Sequence, residues 1–174
     1  LFAQMWGGAA VMPSYEYEDI PGIDWLGRFC GSDLAIKQVS SVAAQLDKKR
    51  VLTESFGCSG YDVTPKELKS ILEFQYFGGV NVTCQHLYPY SVAGRGRIDH
   101  PPVFGPHGNW NDGFKAFNDY FAKLSYIVTN TEENATIGVI HPMSNIWLDY
   151  IRDEDEESVK QTEKEFNEFL TVLR

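Results

Sequence analysis

Two apolar runs, each ending in a residue capable of acid-base or hydrogen-bond chemistry, constrain this chain more than any other feature. The first, Arg50-Val51-Leu52-Thr53-Glu54-Ser55, breaks at Phe56-Gly57, and the second, 80–87, carries His86 near its end. Between them, Thr64-Pro65-Lys66-Glu67 combines a threonine N-cap, a proline at the first helical position and a glutamate three residues after the cap. That is the pattern of a reciprocal capping box, so a helix is predicted from there to about Phe77, with Gly78-Gly79 ending it. Strands joined through a helix are most simply parallel, and parallel strands are usually buried on both faces. The continuous apolar character of both runs agrees with that reading.

The rest of the chain extends the alternation. Ser32 caps a helix over about 33–47, with Ala35, Val39, Val42 and Leu46 at helical spacing. A third helix over 110–128 aligns Phe114, Phe117, Phe121, Leu124 and Val128, and a third strand is expected at 136–140, ending at His141-Pro142. The acidic run 153–157 opens a last helix whose Val159, Thr162, Phe166, Phe169 and Leu173 share a face. Residues 1–24 have no clear period and read as irregular, with room for one short strand. The order of elements predicts an α/β fold. The connection over 88–109, with Pro89, Pro101, Pro102 and Pro106, is longer than a simple link requires, which makes it a place for binding contacts.

Bulk properties narrow the partners. A chain of 174 residues has room for one ordinary core, and its net charge of −9 disfavours the phosphate backbone of a nucleic acid. A neutral ligand fits that balance better. No apolar run approaches the roughly 20 residues of a membrane span. The three cysteines, Cys30, Cys58 and Cys84, form neither a disulfide framework nor a zinc pattern and read as buried free thiols. Asn81 and Asn134 head glycosylation triplets that arise often by chance. Because the first residue is Leu1 and no tail follows Arg174, the expectation is a piece of a longer chain, with self-association also open. Nothing in the residues chooses among cytoplasm, periplasm and secretion.

In parallel α/β folds, functional groups collect at the carboxyl ends of strands. Glu54 would stand at that edge, as a tuned acid or base or as an ion-paired surface glutamate. If the strand carrying His86 is its neighbour, Gln85, His86, Tyr88 and Tyr90 would rim the same cleft, although His86 could equally be a satisfied core histidine. Asp19 and Asp24 flank Pro21-Gly22, where turn chemistry suffices, and Asp24 stays a candidate cleft residue. Arg95 and Arg97 could hold an anion or pair with Asp99. His100, His107 and His141 are scattered in sequence, so no metal triad is expected. No phosphate loop, nucleophile elbow or C-x-x-C occurs.

Several segments in one order resemble a known family: Pro21-Gly22-Ile23-Asp24, Ala35-Ile36-Lys37-Gln38-Val39-Ser40-Ser41-Val42-Ala43, Thr53-Glu54-Ser55-Phe56-Gly57-Cys58-Ser59-Gly60-Tyr61, and Gly79-Val80-Asn81 through Gln85-His86-Leu87 to Tyr90-Ser91. Together they cover about 19–110 and resemble bacterial glycoside hydrolases of the α-L-rhamnosidase type, glycoside hydrolase family 106 and its relatives. The resemblance implies that 1–128 is the last portion of a catalytic (β/α)8 TIM barrel, with Glu54 ending the seventh strand and His86 the eighth. The segment Ile137-Gly138-Val139-Ile140-His141-Pro142 is similar to the first strand of a flavodoxin-like or amidotransferase-like domain, so 129–174 would be its truncated start.

Glycoside cleavage generally uses two carboxyl groups. The resemblance makes Glu54 one of them: a general base on water in an inverting enzyme, or the nucleophile in a β-galactosidase-like retaining one. The partner carboxylate would lie upstream of Leu1. It further implies that Gln85, His86 and Tyr90 position sugar hydroxyls, and that Trp25 or Tyr61 stacks on a ring. Calcium is a cofactor the resemblance brings with it, but the chain offers no independent ligand set for one. The substrate implied is a plant or microbial polysaccharide. The reading from another class is a noncatalytic carbohydrate-binding or assembly module.

Overall fold

The computed structural model describes residues 2–5, 11–108, 110–149 and 156–173. In chain order the elements are β1 (Phe2–Met5), α1 (Val11–Tyr15), β2 (Ile20–Trp25), α2 (Leu34–Gln45), β3 (Leu52–Ser55), α3 (Pro65–Phe77), β4 (Val82–Gln85), α4 (Asn111–Thr129), α5 (Met143–Asp149) and α6 (Glu156–Leu173). Short 3-10 turns at Gly94–Arg97 and Gly105–His107 interrupt the connection between β4 and α4. The chain divides into two units, Leu1–Glu133 and Asn134–Arg174.

In the first unit the four strands form one parallel sheet in the order β1-β2-β3-β4. Local signals account for its central turn. The Thr64 hydroxyl accepts from the Glu67 N–H at 3.2 Å, while the Glu67 carboxylate accepts from the Thr64 N–H at 2.7 Å, so α3 begins where its capping box sets it. The helix ends at Gly78-Gly79. Gly79 has φ +109°, and a Cβ there would lie 2.7 Å from the Ser40 Cβ, so only glycine lets the chain turn into β4 this close to α2. Asn81, itself buried, then ties the start of β3 in place. Its side chain accepts from the Val51 N–H at 2.9 Å and donates to the Lys49 carbonyl at 2.9 Å.

Alternation along the strands divides the sheet into two unlike faces. One carries Ile23, Trp25, Thr53 and Ser55 against the helices, where Ile36, Val39, Val42 and Ala43 of α2 and Leu68, Ile71, Leu72 and Tyr76 of α3 complete the core. Phe114, Phe117, Phe121, Leu124 and Val128 of α4 pack on the same cluster, the stripe their spacing predicts. Within this face Thr53 donates to the Gln75 amide oxygen at 2.5 Å, and the Gln75 amide donates to Ser55 at 3.0 Å, all three residues fully buried. The opposite face bears Asp24, Leu52, Glu54 and Val82, which are half-exposed, and Cys84, which is exposed. Burial on both faces, the usual state of parallel strands, is therefore not what this sheet shows.

Several expectations need correction. The α/β class holds, but the described residues form an open four-stranded sheet with β1 and β4 as edges, so there is no closed or partial (β/α)8 TIM barrel. The strand expected at 136–140, and with it the start of a flavodoxin-like domain, is absent: residues 131–141 are irregular and 131–140 are exposed throughout. Ile137, Val139 and Ile140 have β character, but a strand needs a neighbour to satisfy its backbone and none pairs with them. The second unit instead places α5 before α6, with Met143 and Ile146 buried and the His141 and Phe166 rings 5.0 Å apart. The opening stretch, read as irregular, yields β1, α1 and β2. Pro21-Gly22 is not a turn but the inside of β2, paired with Ala3 and Gln4 on one side. Among the described residues no helix is long and apolar enough to cross a membrane.

Candidate functional site

The open face gathers polar side chains at the carboxyl ends of its strands. Register pairs Asp24 with Glu54, and Glu54 with Cys84, and neighbouring strands run about 4.8 Å apart. Two carboxylates and a thiol thus stand in one row across β2, β3 and β4. His86 follows just beyond β4, its N–H donating to the Ser55 carbonyl at 3.0 Å, which carries the ladder one residue further. Two residues after Cys84, it emerges on the side of Glu54, with Nε2 3.9 Å from the Glu54 Oε1. That is beyond direct hydrogen-bond range but close enough for charge coupling or one bridging group. The Glu54 side chain is 28% exposed and that of His86 14%.

Gly57 makes room for this pair. A Cβ there would lie 3.4 Å from the His86 Cγ and 3.1 Å from the Leu26 Cδ2, so the loop after β3 passes directly beneath the imidazole. The His86–Leu87 peptide is cis. The charge on Glu54 registers in its neighbour: partial burial first, and the Glu54 carboxylate second, push the Cys84 thiol above its ordinary range, although the residue as a whole is exposed, as are Cys30 and Cys58, so none of the three is the buried thiol expected from sequence.

The other site residues named from sequence do not all join this row. Trp25 is buried on the helix face, its indole donating to the Phe29 carbonyl at 3.0 Å and its ring centroid 5.8 Å from that of Phe74. Gln85 also points to the helices, donating to Asn118 of α4 at 2.9 Å. A groove of about 380 Å³ lined by Tyr76, Thr83, Gln85, Asn118 and Phe121 lies on that side of β4, away from Glu54. Tyr88 and Tyr90 are exposed, and the Tyr88 ring packs over Gly105. Tyr61 is partly exposed and its hydroxyl donates to the Arg97 carbonyl. Asp24, Glu54 and His86 are brought together; Trp25 and Gln85 face the opposite layer.

Sequence reasoning missed Asp99 and His100. The long connection doubles back onto the loop after β3: the Cys58 N–H donates to the His100 carbonyl at 3.3 Å and the Gly60 N–H to the Pro101 carbonyl at 2.9 Å. The His100 ring therefore meets that of His86 edge to face, with centroids 5.6 Å apart, while its Nδ1 lies 3.0 Å from the Asp99 Oδ1. One ligand atom each from His86, Asp99 and His100 falls within 4.8 Å of the other two. The available signal was Asp99-His100 preceding Pro101-Pro102 in an over-long loop, but a loop's return path is not encoded in residue spacing.

Calcium takes six to eight oxygen ligands, whereas two imidazoles and one carboxylate are the donors of a zinc-class cation. This cluster does not fit calcium.

Comparison with known proteins gives one informative likeness. The structure of a rhamnosidase from Novosphingobium sp. PP1Y superposes with a TM-score of 0.53 at 21% identity over 70% of this chain. The fold is similar to part of a rhamnosidase. At that identity the likeness concerns the fold, and the chain spans 13% of the length of that protein. No family model and no curated protein matches the sequence.

Proposed function

We propose that this chain carries the proton-accepting side of a glycoside-cleaving site of rhamnosidase type, with Glu54 as general base. The observation that carries the reading is the position of Glu54: a half-exposed carboxylate at the end of an inner strand, on the open face of the sheet, beside Asp24 and 3.9 Å from His86. The fold likeness to a rhamnosidase supports the same chemistry. In an inverting reaction Glu54 takes a proton from water as that water attacks the anomeric carbon, while a second carboxyl group protonates the departing oxygen. Asp24 accepts from a sugar hydroxyl at the same edge, and His86 orients a second. In a retaining reaction the Glu54 oxygen itself attacks. The substrate class is a plant or microbial polysaccharide bearing rhamnose.

A noncatalytic carbohydrate-binding role is the second reading, favoured by the exposed rings of Tyr88 and Tyr90. Titration of the 174-residue chain with L-rhamnose, followed by amide chemical shifts, separates the two. Shifts centred on Asp24, Glu54 and His86 are expected. Shifts centred on Tyr88 and Tyr90, with the strand ends unmoved, would move the protein to the binding class.

A further inference from the structure

We infer that His86, Asp99 and His100 form a binding site for a divalent cation of the zinc class. Zinc binds imidazole nitrogen and carboxylate oxygen at about 2.0–2.2 Å, which places tetrahedral ligand atoms about 3.3 Å apart. The His100 Nδ1 and Asp99 Oδ1 share a hydrogen bond at 3.0 Å, whose proton a cation would displace, and one ligand atom from each of the three residues falls within 4.8 Å of the other two. The site is anchored from two sides. His86 is fixed by the ladder bond to Ser55 and by the loop at Gly57, and its Nδ1 is buried with no hydrogen-bond partner among the described residues. The His100 segment is fixed by the bonds from Cys58 and Gly60 and by the Tyr61 hydroxyl on Arg97.

His100 and Asp99 are more than half exposed, so the remaining coordination position faces solvent and is open to water or a ligand oxygen. A bound cation would clamp the 98–101 segment over the strand end next to Glu54. This goes beyond the glycosidase reading and stands or falls without it, since metal affinity is measured with neither sugar nor turnover.

The test is calorimetric titration of the 174-residue chain with zinc chloride, repeated with cobalt(II) to read the ligand-field absorption of a low-coordinate site. One equivalent is expected, weakened at least tenfold in His100→Ala and in Asp99→Asn and unchanged in His107→Ala. Both weakening variants alter exposed side chains, and their circular dichroism should match the parent. An absence of zinc binding would overturn the proposal, as would a His100→Ala or Asp99→Asn protein binding zinc as tightly as the parent.

Discussion

Replacing Gln75 by leucine should destabilise the first unit by about 2 kcal/mol, because it strips partners from two buried hydroxyls. Gln75 is fully buried on α3, accepting from Thr53 at 2.5 Å and donating to Ser55 at 3.0 Å and to the Ile71 carbonyl at 3.2 Å. Leucine fills a similar volume, so no large cavity opens and the loss is mainly one of hydrogen bonding. Thr53 and Ser55 keep their mutual contact at 2.9 Å, which holds the cost below that of two isolated hydroxyls, about 1–3 kcal/mol each. Removing every polar partner should reverse most of the loss: the triple variant Thr53→Val, Ser55→Ala, Gln75→Leu is expected within about 1 kcal/mol of the parent. Urea denaturation followed by circular dichroism measures both proteins. A Gln75→Leu variant within about 0.5 kcal/mol of the parent, or a triple variant less stable than the single one, would show that the buried hydroxyls do not depend on the Gln75 amide. The network also bears on the site, since Glu54 lies between the two hydroxyl residues it fixes.

Thr64→Ala should cost about 1 kcal/mol, with a further loss on adding Glu67→Ala, because each side chain bonds the other residue's backbone N–H and that donor survives the other substitution; chemical denaturation of the double-mutant cycle measures this. The Thr64 backbone bond first, its hydroxyl second and Arg28 more weakly hold the Glu67 carboxyl below its ordinary range, so its contribution is present above the ordinary carboxylate value and is lost as pH falls through the depressed folded value. Glu67→Gln should flatten that acid limb. Tyr15 shows the opposite sign: burial, then Glu18, push its phenol up to about 12, so its contribution is complete below the ordinary value of 10.0 and is lost as pH rises through about 12. Tyr15→Phe should remove that part of the alkaline loss, as read by thermal melts across the range.

The legible parts of this chain were those whose signals are local. α3 starts at Pro65 and ends at Phe77, as its capping box and glycine pair require, and the α4 aromatic stripe packs as its spacing predicts. What local signals could not supply was pairing. The apolar residues of 136–140 have strand character yet no strand beside them, while Ile20–Trp25, which contains Pro21 and Gly22 and so reads as a turn, sits between β1 and β3 because the sheet needs a strand there. The same limit applied to the site. Glu54 and His86 lie at strand ends, and their meeting follows from parallel order once the sheet is known. Gln85 was grouped with them by its place beside His86 and Trp25 by the family resemblance, but the two-residue period of a strand turns both to the helices. His100 reaches His86 only through the fold of a long loop, a tertiary fact with no local signature.

Turnover of an aryl α-L-rhamnoside by the protein and by its Glu54→Gln variant reads the role of this carboxylate. Loss of general-base assistance should lower kcat by about 10²–10⁴-fold, with sugar binding and the folded circular-dichroism spectrum retained. Unchanged turnover in a folded Glu54→Gln protein would remove Glu54 from the reaction.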